Sequence, residues 1–175
     1  ITAALVMSSL ATAFNIFTKT DPTPADLVRE LNETLAPKTA PTKFATLVAG
    51  VLDPTNGTID YANAGHVPPL VIGVNGVETL GSTDLVVGLF PAAQYRTQRL
   101  TLGKGDSLVL FTDGVTEAEN EQEEELGLPA VAELLRTFHR TSASAIVQRI
   151  EEHVQDFIGD AVCGDDVTLL TISRT

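Results

Sequence analysis

Two acidic turns, each joined to a strand-forming segment, carry the side chains of this sequence that are best suited to chemistry. Residues 107–111 run into Asp113, whereas Asp165 and Asp166 stand immediately before residues 167–172. If the two segments are antiparallel neighbours in one sheet, the end of the first lies beside the start of the second. The carboxylates then gather at one sheet edge, where they repel one another unless a hard cation lies between them. The pattern therefore predicts a Mg²⁺ or Mn²⁺ site.

The simplest alternative interpretation of these aspartates is structural. An aspartate before a glycine, such as Asp113 before Gly114, is most often a turn residue, and Asp165 suits the turn before an edge strand. Asp166 competes with Asp165 for the same role because the two are adjacent in the chain. Taken alone, each acidic turn favours the structural role.

Composition limits the class of protein. The 175 residues, 43% of them apolar, suit a single domain over residues 1–175 with a full core. A formal net charge of −12 argues against binding a nucleic-acid backbone, and no segment is long and apolar enough to span a bilayer. The one cysteine, Cys163, excludes an internal disulfide and fits a reducing cytoplasm. The acidic run from Glu117 to Glu125 predicts a solvated loop. Within it, residues Glu121 to Glu125 are expected to be disordered, with a substrate flap as the less favoured alternative.

Capping residues and periodicity predict the elements that position the acidic turns. Residues 1–14 contain helix-forming Ala and Leu, with small or apolar side chains on nearly every face, which predicts a buried helix. Thr23, Pro24 and Asp26 mark the start of a second helix, which ends before Pro37.

The remaining elements alternate between period-two and helical patterns. Strands are predicted at 44–52, 58–63, 70–72, 77–80, 94–100, 107–111 and 167–172, and helices at 128–138 and at 143–157 after a capping Ser142. Consecutive strands are expected to pair as hairpins, including 94–100 with 107–111 around residues 103–106. Helices, then antiparallel strands, then helices indicate a layered α+β domain.

Further motifs connect these elements to a known family. They are Ala3-Ala4-Leu5-Val6-Met7, Phe44-Ala45-Thr46-Leu47, Tyr61 to Pro69, Gly88-Leu89, Phe111 to Ala118 and Asp165 to Thr168. Each is weak alone, but together they follow the order found in the metal-dependent protein serine/threonine phosphatases of the type 2C superfamily. The sequence resembles these enzymes over almost its whole length. The closest resemblance is to the bacterial branch typified by the stage II sporulation E phosphatase and the sigma-B pathway phosphatases.

The resemblance implies both a fold and a mechanism. The expected fold is an α+β sandwich of two antiparallel sheets flanked by helices, with a two-metal Mn²⁺ or Mg²⁺ centre at one end. A hydroxide held at that centre attacks the phosphorus of phosphoserine or phosphothreonine in line. Carried over by motif, Asp113 and Asp165 become metal ligands and catalytic residues, and Asp166 becomes the next candidate ligand. Gly114 is expected to let the backbone pass close to the metal.

One part of the family pattern is missing from the sequence. In the family, an Asp-x-x-Gly-x-Gly segment whose aspartate bridges the metals stands directly before the helix that corresponds to residues 1–14. An acidic Gly-Asp segment lies further upstream. We therefore expect a fragment that lacks the first strands and part of the ligand set, and that is weakly active or inactive by itself. Asp-x-x-Gly-x-Gly is expected to precede Ile1 in the encoded protein.

The resemblance also implies partners. The expected substrate is a phosphorylated anti-sigma-factor antagonist in a bacterial signalling pathway, and the full protein is expected to carry an upstream sensory or receiver domain. Apolar surface left by missing strands would favour a homodimer. The rival function is a regulatory module that keeps the fold, has lost catalysis and acts by binding a partner.

Several polar residues near the motifs have two interpretations. His66 could act as a general acid or contact phosphate, but we expect it to fix a loop beside Asn63, whose side chain is expected to bond the backbone. Thr112, Thr116 and Thr168 either orient the aspartates through hydrogen bonds or simply favour β-structure, and the sequence leaves both interpretations open.

Overall fold

The computed structural model describes residues 3–36, 44–81, 84–161 and 164–175, so Cys163 lies outside the described residues. The helices are α1 (Ala3–Phe17), α2 (Pro24–Leu35), α3 (Asp113–Thr116), α4 (Leu128–Leu135) and α5 (Ala143–Ile158), with a short 3₁₀ turn at Thr18–Thr20. The strands are β1 (Leu47–Asp53), β2 (Thr58–Ala64), β3 (Leu70–Gly73), β4 (Gly76–Thr79), β5 (Gln98–Thr101), β6 (Ser107–Phe111) and β7 (Leu169–Ser173). The pairings between these strands are antiparallel, which confirms the predicted α+β class.

The described residues form two compact units, each with its own sheet and its own core. The first unit comprises the described residues of 1–66 and 82–101 and holds a three-stranded sheet in the order β1-β2-β5. The second comprises those of 67–81 and 102–175 and holds a four-stranded sheet in the order β4-β3-β6-β7. The acidic turns at Asp113 and Asp165 both belong to the second unit, so the candidate site is a feature of that unit alone.

The start of α2 follows the predicted capping pattern. Thr23 Oγ1 accepts a hydrogen bond from the Asp26 backbone N–H at 3.2 Å, and Pro24 occupies the first helical turn. The Thr23 hydroxyl, followed by Arg29, holds the pKa of Asp26 below its ordinary value of 3.8. An ionised side chain at this position also favours the positive end of the helix.

The prediction of a buried first helix is wrong. In α1 the buried residues are Val6, Leu10 and Ala13, which lie on one face and join the core of the first unit. Met7 and Ile16 are 61% and 56% exposed. The physical reason is that α1 packs against α2 along this single face. Apolar composition alone therefore overestimated how much of the helix would find a packing partner.

A buried asparagine, which no sequence motif marks, joins α2 to the loop at Gly88. Asn32 is fully buried, its Oδ1 accepts from the Gly88 backbone N–H at 2.8 Å, and its Nδ2 donates to the Phe90 carbonyl at 3.0 Å. Leaving such a buried group without a partner costs about 1–3 kcal/mol. These two hydrogen bonds therefore hold the loop against α2.

In the second unit β6 is an inner strand with both edges occupied. Leu70 of β3 pairs with Val109 on one side, and Leu169 of β7 pairs with Phe111 on the other. Val109 is fully buried in a core that includes residues of α4 and α5. Burial of one such aliphatic side chain stabilises the fold by roughly 1.5–3 kcal/mol. The predicted antiparallel pairing of the two strands beside the acidic turns is thus confirmed.

The predicted pairing of residues 94–100 with 107–111 is wrong. β5 pairs with β2 in the first unit, whereas β6 belongs to the sheet of the second. The reason is that β3 and β7 already occupy both edges of β6, which leaves no edge for β5. Charge also favours the observed partner, because Arg99 Nε and Nη2 donate to the Asp60 carboxylate across the two strands at 2.6 and 2.7 Å.

The acidic loop is exposed at residues 121–125, as predicted, but it is not disordered. Asn120 Oδ1 accepts from the backbone N–H groups of Gln122 and Glu124 at 2.9 and 3.0 Å. The Leu126 N–H then donates to the Ala118 carbonyl at 2.9 Å and closes the loop. The prediction of disorder overlooked the ability of an asparagine side chain to organise a turn.

The long helix α5 provides one wall of the second core. It begins after Ser142, whose Oγ accepts from the Ala145 N–H at 3.3 Å as predicted. Ile146, Ile150 and Val154 then repeat at helical spacing and are buried. In the part of the chain that the structure describes, no helix has the length and apolar character required to cross a membrane.

Candidate functional site

β6 and the single turn α3 place Asp113 at the end of the sheet. The strand ends at the buried Phe111, and Thr112 keeps extended dihedral angles (φ −77°, ψ 163°) before the chain turns. Gly114 and Val115 are buried beneath the turn, whereas Asp113 is exposed. The turn is therefore anchored by its apolar residues while its carboxylate remains accessible.

The Asp113 carboxylate retains capacity to bind a cation. Its Oδ1 accepts a weak local hydrogen bond from the Gly114 N–H at 3.1 Å, and within the described residues its Oδ2 accepts none. The Asp113 carbonyl accepts from the Glu117 N–H at 2.8 Å and from Thr116 Oγ1 at 3.2 Å. Thr116 therefore fixes the main chain of the turn and does not contact the carboxylate.

Asp165 and Asp166 lie in the segment that leads into β7, three to four residues before that strand begins. Since the start of β7 pairs with the end of β6, this segment is at the same sheet edge as Asp113. Both are exposed, and Asp165 Oδ1 accepts from the Asp166 backbone N–H at 2.7 Å. This local bond orients the Asp165 carboxylate back toward its own main chain.

Thr112 joins the two acidic segments directly. Its Oγ1 donates to the Asp166 carbonyl at 2.9 Å and accepts from the Thr168 N–H at 3.0 Å, while its own N–H donates to the Thr168 carbonyl at 3.1 Å. The side-chain hydroxyl therefore extends the β6–β7 pairing by two hydrogen bonds beyond the last strand residues. Of the two interpretations of Thr112, the structure supports a role in positioning these segments.

Gly114 is required by the closeness of the two segments. A Cβ atom at this position would lie 2.6 Å from the Asp166 carbonyl oxygen and 3.4 Å from the Asp165 carbonyl carbon. The first distance is shorter than real Cβ contacts, and the atom in the way is backbone. The structure thus shows a close approach between Gly114 and Asp166, and the expected approach of Gly114 to a metal remains a prediction.

The donor chemistry at this edge fits a hard divalent cation. Asp113, Asp165 and Asp166 offer exposed carboxylate oxygens, and the Asp166 carbonyl lies against the same turn. Within residues 3–36, 44–81, 84–161 and 164–175, no three or more His, Cys, Asp or Glu side chains come close enough to hold a metal ion by themselves. The three aspartates therefore supply at most part of a six-oxygen shell.

An acidic groove adjoins the site. It has a volume of about 1220 Å³ and runs between residues 164–167 and the polar face of α5. Glu151, Glu152 and Asp156 of α5 line it together with Asp165 and Asp166. These helix carboxylates were not predicted from the sequence, because their spacing is that of an ordinary exposed helix face. Their combined charge attracts cations toward the edge that carries Asp165 and Asp166.

His66 and Asn63 have the structural role that the sequence predicts. Asn63 is fully buried, its Oδ1 accepts from the His66 N–H at 2.8 Å, and its Nδ2 donates to the His66 carbonyl at 3.2 Å. His66 Nδ1 lies 3.2 Å from Thr46 Oγ1. Both residues therefore fix the loop that follows β2 in the first unit.

Comparison with known sequences identifies the family. The family model for stage II sporulation protein E (SpoIIE) matches residues 1–175. Protein IcfG of Synechocystis sp. is 33% identical over 132 residues, which cover 75% of this chain and 21% of that protein. Phosphoserine phosphatase RsbU of Bacillus subtilis is 29% identical over 176 residues, which cover 99% of this chain and 52% of RsbU. The chain thus spans about half the length of RsbU and about a fifth of protein IcfG.

Solved structures share the fold. The SiaA-PP2C domain of Pseudomonas aeruginosa superposes with a TM-score of 0.83 at 18% identity, covering 98% of this chain and 69% of that one. The RsbU and RsbW domains of a Mycobacterium tuberculosis protein give a TM-score of 0.76 at 25% identity, covering 98% and 48%. The phosphatase domain of SpoIIE from Bacillus subtilis, presoaked with Mn, gives 0.64 at 14% identity, covering 99% and 75%. Because the family model spans the whole sequence, the resemblance inferred from the motifs is confirmed, and the chain belongs to the stage II sporulation protein E (SpoIIE) family.

Proposed function

We propose that residues 1–175 act as a phosphatase domain that hydrolyses phosphoserine or phosphothreonine in a protein substrate, using Mn²⁺ or Mg²⁺. The observation that carries this proposal is the Thr112 bridge between the Asp113 turn and the Asp165-Asp166 segment. Membership of the SpoIIE family and similarity to a phosphoserine phosphatase support the chemistry. Related folds have been solved after presoaking with Mn and in complex with magnesium, which supports the choice of metal.

In this proposal Asp113 and Asp165 bind the metals, with Asp166 as the alternative to Asp165. Divalent ions at this edge would neutralise charge on the phosphoryl group and activate a water molecule. In the overall reaction, water attacks phosphorus, the bond from phosphorus to the serine or threonine oxygen breaks, and that oxygen receives a proton. Thr112 and Gly114 contribute by keeping the two carboxylate-bearing segments close together.

The proposed substrate is a phosphorylated anti-sigma-factor antagonist. Support comes from the similarity to RsbU and from a structural relative that contains RsbU and RsbW domains. Since the chain covers 52% of RsbU and 21% of protein IcfG, we also propose that the full protein carries a further sensory or receiver domain. We also propose that the protein forms a homodimer.

The test combines metal binding with phosphate release. Mn²⁺ binding is followed by electron paramagnetic resonance, and release is measured from a phosphoserine peptide, both for this chain and for the protein extended upstream of Ile1. In the protein extended upstream of Ile1, Asp113→Ala is expected to lower release by more than about 100-fold, since even partners of metal ligands typically contribute 10- to 100-fold. Asp160→Ala, at an exposed aspartate outside the groove lining, is the matched control and should leave both readouts unchanged.

Two results would overturn the proposal. If Asp113→Ala keeps full Mn²⁺ binding and full release, Asp113 is not a ligand. If neither protein releases phosphate at any metal concentration, yet both bind the phosphoprotein, the partner-binding regulatory module is the better description.

A further inference from the structure

A further pocket, lined by both apolar surface and basic side chains, lies at the opposite end of β6 from the acidic turns. It has a volume of about 600 Å³ and is formed by the loop before β6, the loop before α5 and the end of β7. Because β6 spans five residues at about 3.3 Å each, roughly 16 Å of strand separates this pocket from the Asp113 turn. The pocket is therefore distinct from the candidate metal site.

The pocket is lined by basic side chains that form no ion pair with a described carboxylate. Nine Lys and Arg residues lie in the described part of the chain, and five of these form ion pairs with carboxylates, namely Arg29, Arg96, Arg99, Arg136 and Arg149. The other four are Lys19, Lys104, Arg140 and Arg174. The last three of these line the pocket, which we call the basic pocket. Although the sequence has 23 Asp and Glu residues, none of the described ones lines the basic pocket.

Backbone hydrogen bonds connect the segments that carry Arg140 and Arg174 to the loop at Gly105, which follows Lys104. The Arg140 N–H donates to the Gly105 carbonyl at 2.9 Å, and the Gly105 N–H donates to the Arg174 carbonyl at 2.7 Å. The Arg174 guanidinium donates from Nη1 to the Leu102 carbonyl at 2.7 Å, which leaves its other nitrogens available. Three chain segments are thus joined around the basic pocket, so the backbone there is ordered before an anion binds.

The side chain of Arg140 reaches the pocket because Gly105 has no side chain. A Cβ atom on Gly105 would lie 2.6 Å from Arg140 Cγ, and Gly105 has a φ of +89° that favours glycine in any case. Arg140 itself has a φ of +65°, an uncommon conformation for a non-glycine residue. The Arg140 side chain therefore lies across the loop that carries Lys104.

The neighbouring acid does not neutralise the basic pocket. The carboxylate of Asp106, next to Gly105 in sequence, contacts other groups. Its Oδ2 accepts from the Gly103 N–H at 2.8 Å, and its Oδ1 lies 3.3 Å from His139 Nε2. The first turn of the 16-residue helix α5, which starts beside Thr141 and Ser142, contains no acidic residue. Its positive end therefore adds to the three cations.

We propose that the basic pocket binds a phosphate-type dianion. Three cations line one pocket that has no Asp or Glu among its described lining residues, and a tetrahedral oxyanion can accept hydrogen bonds from several such donors at once. The anion is either free inorganic phosphate or a phosphoryl group carried by a protein. Because the site lies away from Asp113, this inference stands independently of the proposed function.

The test measures anion binding by isothermal titration calorimetry at low ionic strength with EDTA present, so that no metal centre contributes. Inorganic phosphate and a phosphoserine peptide are titrated separately into this chain. The double variant Lys104→Gln/Arg140→Asn is expected to bind at least about tenfold more weakly, since charged hydrogen bonds are the strong ones. Asparagine is chosen at position 140 because it tolerates a positive φ.

Lys19→Gln provides the matched control, because Lys19 is the described cation without an ion pair that lies outside the basic pocket. It should change phosphate affinity less than twofold. Circular dichroism checks that each variant is folded. Changes in the NMR chemical shifts of the Ala143 and Ser144 backbone amides on adding phosphate report binding at the basic pocket. Tighter binding of the peptide than of phosphate identifies a docking site for a phosphoprotein, and the reverse order identifies a site for free phosphate. Failure of both to bind, or equal losses in the double variant and in Lys19→Gln, would overturn the inference.

Discussion

Replacing Thr112 with valine tests whether its hydroxyl holds the two acidic segments together. Valine keeps the branched shape of threonine and replaces the hydroxyl group with a methyl group. The hydroxyl oxygen Oγ1 makes two hydrogen bonds across the site, to the Asp166 carbonyl at 2.9 Å and from the Thr168 N–H at 3.0 Å. The backbone pairing of Thr112 with Thr168 does not involve the side chain and should remain. The substitution therefore isolates the contribution of the hydroxyl.

The expected loss in the free energy of unfolding depends on how exposed the hydrogen-bond partners of Thr112 Oγ1 are. A hydrogen bond contributes about 0.5–1.5 kcal/mol net, so two together contribute roughly 1–3 kcal/mol. Asp166 and Thr168 are both exposed, and water can replace the lost partner at each. The lower end of that range, about 1–1.5 kcal/mol, is therefore expected for Thr112→Val. For a chain of this size, this corresponds to a fall in Tm of roughly 2–6 °C.

Urea denaturation followed by circular dichroism measures this change in the free energy of unfolding. Thr116→Val is the matched control, because Thr116 Oγ1 makes one local bond, to the Asp113 carbonyl at 3.2 Å. It should cost less than Thr112→Val, and Thr112→Ser, which keeps the hydroxyl, should recover most of the stability. Mn²⁺ affinity, measured on the same proteins, should fall in Thr112→Val and recover in Thr112→Ser. Equal stabilities of the two valine variants, with equal Mn²⁺ affinities, would refute the positioning role.

Two further predictions concern backbone closeness and pH. Gly114→Ala places a Cβ atom 2.6 Å from a backbone carbonyl oxygen and should destabilise the chain by about 1–3 kcal/mol in urea denaturation. Gly81→Ala, which meets nothing within 4 Å, should be nearly neutral, and similar losses in both would show that the close approach is unimportant. The Thr23 hydroxyl and Arg29 lower the pKa of Asp26, so the stability contributed by the ionised carboxylate is present above pH 3.8 and is lost as the pH falls below it. The stability difference between the unaltered chain and Thr23→Ala should therefore shrink between pH 7 and pH 3, and an unchanged difference would contradict this origin of the shift.

Local signals predicted the helix starts well, because capping depends on a few adjacent residues. Thr23 and Ser142 were identified as caps from sequence, and both accept the expected backbone hydrogen bond. The acidic turns were placed at one sheet edge from the pattern of the two strands, and the pairing of Phe111 with Leu169 confirms that geometry. Their assignment as metal ligands stays a prediction.

Long-range choices were predicted less well, because they depend on which surfaces meet. Residues 94–100 look like a hairpin partner for 107–111, yet the edges of β6 are taken by strands from other parts of the chain. The apolar composition of α1 predicted burial on all sides, whereas packing covers one face. Neither outcome is encoded within the segment itself.

The sequence by itself determined the family, the α+β class and the carboxylates that could bind a metal, since residue types and their order along the chain carry that information. Only the tertiary structure revealed the Thr112 bridge, the close approach at Gly114 and the gathering of Lys104, Arg140 and Arg174. These features join residues that are far apart in the chain, and their distances are fixed only when the strands pair and the core packs around them.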